Sequence, residues 1–266
     1  MKPVTFSPCG SLSPFVECFW SLQDYRSAHS REISIPDGSA ELVFDLGGGP
    51  IRLFNRNEES LLFGASVLCG PHTEYFGIDT SGQTDVMGIH FRPGGLFPFL
   101  PAPLHELLNR HVPLSAYWPH EARLIRRLAA GSTLEERFRT LEEELLASSC
   151  RPPERHPAVV YALEELRRSS VAKVLEQTGL SHRRFNERFK AQVGMTPKQL
   201  SRLYRFQEVL SALNQGEQPD WASIAEACGY CDQAHLIRDF QAFSGMPPSR
   251  YRRIPERHPN HSPYPR

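Results

Sequence analysis

The sequence predicts an α+β chain of two domains, an antiparallel β domain followed by an all-α domain built on two helix-turn-helix units. Three observations carry this. Short apolar or alternating runs broken by Gly, Pro, Asn and Ser fill the first hundred or so residues. A proline-rich stretch, Cys150-Arg-Pro-Pro-Glu-Arg-His-Pro157, then separates that half from an unbroken series of helical patterns. Within those helices one capped-helix pattern returns 51 positions later.

The bulk properties bound the answer before any element is placed. At 266 residues the chain has room for two domains, each with its own core. No apolar run approaches the ~20 residues of a membrane span, and Met1-Lys2-Pro3 lacks the apolar segment of a signal peptide. A cytoplasmic protein with no membrane partner is expected. The formal charge of zero hides an asymmetry. Residues 1–150 carry 12 Lys and Arg against 18 Asp and Glu, and residues 151–266 carry 18 against 12. A basic half joined to an acidic one suggests that the basic half meets a polyanion.

In chain order, strands are expected at Ile33–Ile35, Glu41–Leu46, Ile51–Phe54, Leu61–Phe63, Glu74–Ile78 and Asp85–Phe91. Their spacing argues for an antiparallel sandwich or small barrel, which can hold one small ligand. Gly47-Gly48-Gly49 reads as a hairpin turn, since it lacks the Lys-Ser/Thr of a phosphate loop. His72 and His90 read as surface or satisfied histidines, because neither sits in a metal-binding spacing. Helices follow at His105–Arg110, His120–Ala130 and, from a capping box of Ser132 with Glu135, to about Ala147. Leu134, Phe138, Leu141 and Leu145 fall at heptad spacing, a seam that suits the chain's own core better than a dimer. The stretch 150–157 is expected to be an extended, semi-rigid linker.

Beyond the linker, helices are expected at Ala158–Arg168 and Val171–Thr178, the latter closed by Gly179. A third is capped by Ser181 and stops at Gly194. The copy is Ile224–Arg252. Ser181 matches Asp232, Phe185 matches Leu236, Phe189 matches Phe240, and Pro197 matches Pro248, all 51 positions apart. Between the copies runs an uninterrupted helical pattern from Pro197 to about Asn214, which spans about 27 Å. Such a rod suits two reading heads about one DNA turn apart. With the phenylalanine and leucine positions turned to the core, Arg183, Arg184, Asn186, Glu187 and Lys190 lie on the outer side of the first unit. Gln233, Ala234, His235, Ile237 and Arg238 do so in the second. Arg, Asn and Gln pair with guanine and adenine edges, and Ala and Ile suit a thymine methyl. Glu187 is read as pairing with Arg183 at i, i+4. Lys198, Arg202, Arg205, Arg250 and Arg252 are candidate phosphate contacts. Cys228-Gly-Tyr-Cys231 has neither a second ligand pair nor a βαβ setting, and reads as a plain turn.

Ala225-x-x-x-Gly229-Tyr230-x-Asp232-x-x-x-Leu236-x-Arg238-x-Phe240, followed by Gly245-x-x-Pro248-x-x-Tyr251-Arg252, resembles the C-terminal pattern of the AraC/XylS family of bacterial transcription regulators. The resemblance covers residues of about 158–254. It implies two recognition helices in adjacent major grooves of one duplex, with base-reading positions at Arg183, Asn186, Glu187, Gln233, Ala234, His235, Ile237 and Arg238. Trp20, Pro36-Asp37-Gly38 and Phe91-Arg-Pro-Gly-Gly95 resemble, more weakly, the cupin-like sensory domains of such regulators.

The expectation is therefore a cupin-like β-barrel sensor or dimerisation domain with trailing helices at 1–149, a linker at 150–157, a DNA-binding domain at 158–254 and a disordered tail at 255–266. The implied partners are promoter or operator DNA, a small-molecule effector, RNA polymerase and a second copy of the chain. No catalytic residues, cofactor or metal are called for. Two alternatives remain: a regulator without effector whose N-terminal half only dimerises, and an enzyme linked to a DNA-binding tail. For the latter, Cys69 with His72 is the only pairing available in residues 1–150.

Overall fold

Strand alternation sets the architecture of the first half. The computed structural model describes residues 3–24, 29–152, 154–213, 220–251, 254 and 260–264. Its strands are β1 (Val4–Phe6), β2 (Val16–Gln23), β3 (Arg31–Ser34), β4 (Glu41–Asp45), β5 (Arg52–Phe54), β6 (Ser60–Leu62), β7 (Ser66–Cys69), β8 (Phe76–Asp79), β9 (Asp85–Phe91), β10 (His111–Pro113) and β11 (His261–Pro263). They form two antiparallel sheets, ordered β1-β2-β9-β4-β7-β10 and β11-β3-β8-β5-β6. The sheets face each other without closing into a ring, so the expected barrel is an open sandwich. Gly47–Pro50 is accordingly not a hairpin turn: it carries the chain from β4 in one sheet to β5 in the other.

The six-stranded sheet is covered on both faces. Leu42, Phe44, Leu68, Met87, Ile89 and Phe91 point one way, into a core shared with the helices α1 (Glu121–Ala130) and α2 (Leu134–Ala147). Val67 and Cys69 point the other way, where they meet Ile51, Leu53 and Phe76 between the sheets. In α2, Phe138, Leu141 and Leu145 are buried in this same core. The helix starts one residue later than the sequence suggested. Thr133 is the N-cap, accepting from Glu136 N, while the Glu136 carboxylate reaches back to Ser132 N. The expected helix at His105–Arg110 is a single 3-10 turn, Leu104–Leu107.

Before β11 the second half is built of helices: α3 (Pro157–Glu165), α4 (Val171–Thr178), α5 (His182–Val193), α6 (Pro197–Leu213), α7 (Trp221–Ala227) and α8 (Gln233–Ser244). Thr196 and Gln199 form a reciprocal capping box at the start of α6, which fixes the entry of the connecting helix. Phe206 of α6 packs edge-on against Phe240, with ring centroids 5.2 Å apart, and also touches Phe243. Asn214, placed at the end of this helix by the sequence, lies outside the described residues.

The two halves share a core. Ile33 of β3 and Ile35 beyond it lie in the same buried cluster as Met195, Leu200 and Leu203. The turn Pro36-Asp37-Gly38 sits on α6, where Gln207 Nε2 donates to Pro36 O at 2.8 Å. Gly38 has φ +88, and a Cβ there would stand 2.8 Å from Leu200 Cδ1. The stretch expected as an extended, semi-rigid linker is docked on the N-terminal half. Arg151 donates to Leu100 O and Pro101 O, and Arg155 donates to Pro93 O and Pro14 O. Those guanidinium groups satisfy carbonyls that no strand partner reaches.

The tail corrects the expectation of disorder over part of its length. Residues 255–259 and 265–266 lie outside the described residues, but 261–263 pair with β3 in register His261 with Ser34 and Pro263 with Glu32. Ile35 N donates to Asn260 O at 2.8 Å, and Tyr264 N donates to Arg31 O at 3.2 Å. The chain thus returns from its last helix to complete the edge of the five-stranded sheet.

His72 is buried, not superficial. Its Nδ1 lies 2.6 Å from Gly70 O, so Nδ1 carries the proton and donates. Its ring contacts Phe76 and His111, and burial lowers its pKa to about 4.

Two outcomes follow from this packing. Gly38→Ala should lower the unfolding free energy by about 1–2 kcal/mol or more. Gly48→Ala is the control, since Gly48 has a similar φ of +85 with nothing near its missing Cβ. Equal losses in denaturant titrations would show that the contact with α6 contributes nothing. For His72, the unfolded chain binds the proton below about pH 6.5 while the folded chain resists it until about pH 4. Stability associated with this group is therefore present above pH 6.5 and lost as the pH falls towards 4. His72→Gln should shrink the loss between pH 7 and pH 4 by about 3 kcal/mol.

Candidate functional site

Each helix-turn-helix unit is assembled by local signals that recur. Ser181 caps α5 by accepting from Arg184 N, and Asp232 caps α8 by accepting from His235 N at 2.6 Å. Gly194 and Gly245 close the two helices in the left-handed region. Phe185, Phe189, Leu236 and Phe240 are fully buried, which fixes the rotation of both helices. On α5, Arg183, Arg184, Glu187 and Lys190 are exposed and Asn186 is half-buried. Arg183 Nε donates to Glu187 Oε1 at 2.8 Å, the intrahelical pair expected from the sequence, and this hydrogen bond raises the Arg183 pKa. Asn186 Nδ2 donates to His182 O within the same helix.

On α8, Gln233, Ala234 and Arg238 are exposed, whereas His235 and Ile237 are half-buried. His235 lies edge-on to Tyr230, and Ile237 packs on the helical core. The two outer faces differ in character. The α5 segment Arg183–Lys190 carries four basic residues and one acidic one; the matching α8 segment carries Arg238 and a buried Asp239.

The five phosphate-contact candidates separate. Lys198 and Arg250 are exposed. Arg252 lies outside the described residues. Arg202 and Arg205 are turned inward instead. Arg202 binds the Asp239 carboxylate, with Nη2 at 2.6 Å from Oδ1, and lies over the Phe243 ring. Arg205 donates to Gly229 O and stacks over Tyr230. These two side chains clamp α6 to the second unit, because Asp239 is buried on the inner side of α8 and needs a cationic partner. Cys228 and Cys231 are free thiols in the turn between α7 and α8.

A second site lies between the two sheets, a cavity of about 240 Å³. Trp20, Glu41 and His90 reach it from β2, β4 and β9, because each stands one position from a residue on the opposite, helix-covered face. Trp20 Nε1 donates to Glu41 Oε1 at 2.7 Å. The His90 ring lies between two carboxylates, with Nδ1 3.6 Å from Glu41 Oε1 and Nε2 3.2 Å from Asp37 Oδ2. Burial opposes the charge on His90, but Asp37 and Glu41 outweigh it and hold the imidazole protonated well above its ordinary pKa. Asn260 from the tail donates to Asp37 Oδ2 at 2.8 Å. Of these groups the sequence singled out Trp20 and Asp37 through motifs, and His90 as a surface or satisfied histidine. Glu41 and Asn260 carried no motif, although Glu41 stands at an alternate position of β4. Cys69 and His72 do not form a nucleophile–base pair: burial pushes the Cys69 thiol well up, and His72 Nδ1 is engaged by Gly70.

Residues 4–113 match a family described as a domain of unknown function (DUF6597), and residues 174–254 match one described as a helix-turn-helix domain. None of the curated proteins matches the chain. Among solved structures, ToxT from Vibrio cholerae O395 is 10% identical, over 87% of this chain and 94% of that one, with a TM-score of 0.43. The same protein bound to (E)-4-(8-methylnaphthalen-1-yl)but-3-enoic acid is 10% identical over 87% and 95%, with a TM-score of 0.45. Unsaturated fatty acid bound wild-type ToxT from Vibrio cholerae strain SCE256 is 11% identical over 87% and 92%, with a TM-score of 0.43. The match over residues 174–254 makes that part of the chain a helix-turn-helix domain of the AraC type.

Proposed function

We propose that α5 and α8 enter adjacent major grooves of one operator, and that a small molecule in the cavity between the sheets controls this binding. The observation that carries the reading is the pair of capped helices on one rod. Both are fixed by buried aromatic and aliphatic residues and present Arg183, Arg184 and Lys190 on one, and Gln233 and Arg238 on the other, to solvent. The units divide the work. The strongly basic α5 supplies electrostatic attraction, with Arg183 aimed by Glu187; α8 supplies base readout through Gln233, Ala234 and Arg238, supported by His235 and Ile237. Asn186 reads beside Arg183, and Lys198 and Arg250 hold phosphates at the two ends. In this scheme residues 1–149 sense and 158–254 bind DNA, with 150–157 between them.

Control runs through the turn Pro36-Asp37-Gly38. Its Pro36 and Asp37 line the cavity, while Pro36 O and Gly38 rest on α6. A ligand that shifts Asp37 therefore acts on the rod that spaces the two reading helices.

The test uses the full chain and a duplex carrying its operator, recovered by selection from random sequence. Arg238→Ala should lose about 1–3 kcal/mol of preference at one base pair, and Lys198→Ala should weaken all sequences alike and reduce the salt slope by about 1. Equal affinity for selected and random DNA at physiological salt would sink the reading. Arg202→Ala should instead lower the unfolding free energy by about 2–3 kcal/mol, since it strands the buried Asp239. An unchanged melting temperature with a reduced salt slope would return Arg202 to the phosphate contacts.

A further inference from the structure

The two helix-turn-helix units are copies of one another, and so are their points of contact with the N-terminal half. Gly194 closes α5 and Gly245 closes α8, 51 positions apart and equivalent in the repeat. Both glycines lie under side chains of a single loop. A Cβ on Gly194 would stand 2.4 Å from Pro71 Cγ, and one on Gly245 would stand 2.4 Å from both Cε1 and Cζ of Tyr75. At Gly245 the three nearest atoms all belong to Tyr75, which is half-buried against the helical core. Pro71 and Tyr75 are four residues apart, so their backbones are separated by at most about 14 Å. One short segment therefore touches the C-terminal ends of both recognition helices.

That segment, residues 70–75, carries the chain from β7 in one sheet to β8 in the other, and it is pinned. Gly70 N donates to Arg110 O and Asn109 N donates to Pro71 O, both at 2.9 Å. A Cβ on Gly70 would stand 2.0 Å from Leu107 O, so only glycine lets the two segments approach this closely. Asn109 holds the left-handed conformation, with φ 56, and turns its side chain on Thr73: Thr73 N donates to Oδ1 at 2.7 Å, and Nδ2 donates to Thr73 Oγ1 at 3.1 Å. Pro71 and Tyr75 thus stand on a fixed part of the N-terminal half.

Packing on α6 gives each unit one hold, and this loop gives each a second. A helix held at two places cannot turn about either one, and close-packed contacts leave no slack to absorb a shift. Operator DNA makes such rigidity visible. One added base pair between half-sites moves the second by about 3.4 Å along the duplex and about 34–36° around it.

We propose that residues 70–75 set the half-site spacing the protein accepts, with Pro71 and Tyr75 as positioning residues that lock the two recognition helices in one mutual arrangement. The inference rests on the reading that α5 and α8 enter adjacent grooves of one operator.

The experiment uses the full chain and the selected operator, re-made with one base pair added or removed between its half-sites, and with either half-site scrambled. The wild type should lose about tenfold or more in affinity when the spacing changes by one base pair. Tyr75→Ala should cut that penalty to about threefold or less, and Tyr75→Phe, which keeps the ring over Gly245, should retain it. Neither change should alter affinity for the single half-sites by more than about twofold, since neither residue faces DNA in this scheme. Near-ultraviolet circular dichroism reports whether Tyr75→Ala keeps its packing. If it does not, Asn109→Gly takes its place: it keeps the positive φ, unpins the loop and touches neither helix, and it should relax the spacing in the same way. A folded variant that weakens all spacings alike, or that keeps the wild-type penalty, would overturn the proposal. A wild type that prefers its operator to random DNA yet tolerates every spacing would overturn it too, and leave the DNA-binding reading standing. Equal affinity for operator and random DNA would sink both.

Discussion

Everything in this chain hangs on β3. Ile33 within it and Ile35 just beyond are buried in the core of the helical half, while Ser34 and Ile35 line the cavity. One short strand therefore separates the cavity from the helical core. Because interiors are close-packed, a displacement of β3 or of the turn after it cannot be absorbed locally. It must appear in Leu200, Leu203 and Gln207 of α6, the helix that spaces the two reading heads.

α6 also carries Phe206, Arg202 and Arg205 towards the second unit, where they meet Phe240, Asp239 and Gly229 O. Both units rest on the N-terminal half as well: a Cβ at Gly194 would stand 2.4 Å from Pro71 Cγ, and one at Gly245 would stand 2.4 Å from Tyr75 Cε1. A displacement between the two halves therefore reaches both helix-turn-helix units.

The helical half was legible in the sequence because its signals are local. Caps at Ser181 and Asp232, stops at Gly194 and Gly245, and apolar spacing of three and four residues all read from short windows. What escaped depends on distant partners. Arg202 looks like any surface arginine until Asp239, 37 positions away, is placed against it. Strand β2, Val16-Glu-Cys-Phe-Trp-Ser-Leu-Gln23, is covered on both faces and shows no clean alternation, so periodicity passed over it. Ser132 and Thr133 both have an acidic residue three positions on, and only the backbone chooses between them. The sequence could place His90 only among surface or satisfied histidines, not between Asp37 and Glu41, which lie on a turn and on a neighbouring strand.

Strand β11 shows the same limit in its purest form and has a consequence for synthesis. It is His-Ser-Pro in a proline-rich tail, paired through its backbone, so nothing in its side chains announces it. Its residues are made after the helix-turn-helix units, yet they complete the sheet that is otherwise built from residues 31–79. Until they emerge from the ribosome, β3 keeps an open edge and Asp37 lacks Asn260. The N-terminal domain of a nascent chain is therefore unfinished for as long as its DNA-binding domain is being translated, and the cavity and the reading heads mature in the same moment. A chain cut before residue 260 keeps that open sheet edge, a mark by which quality control can tell it from one that has closed the sheet.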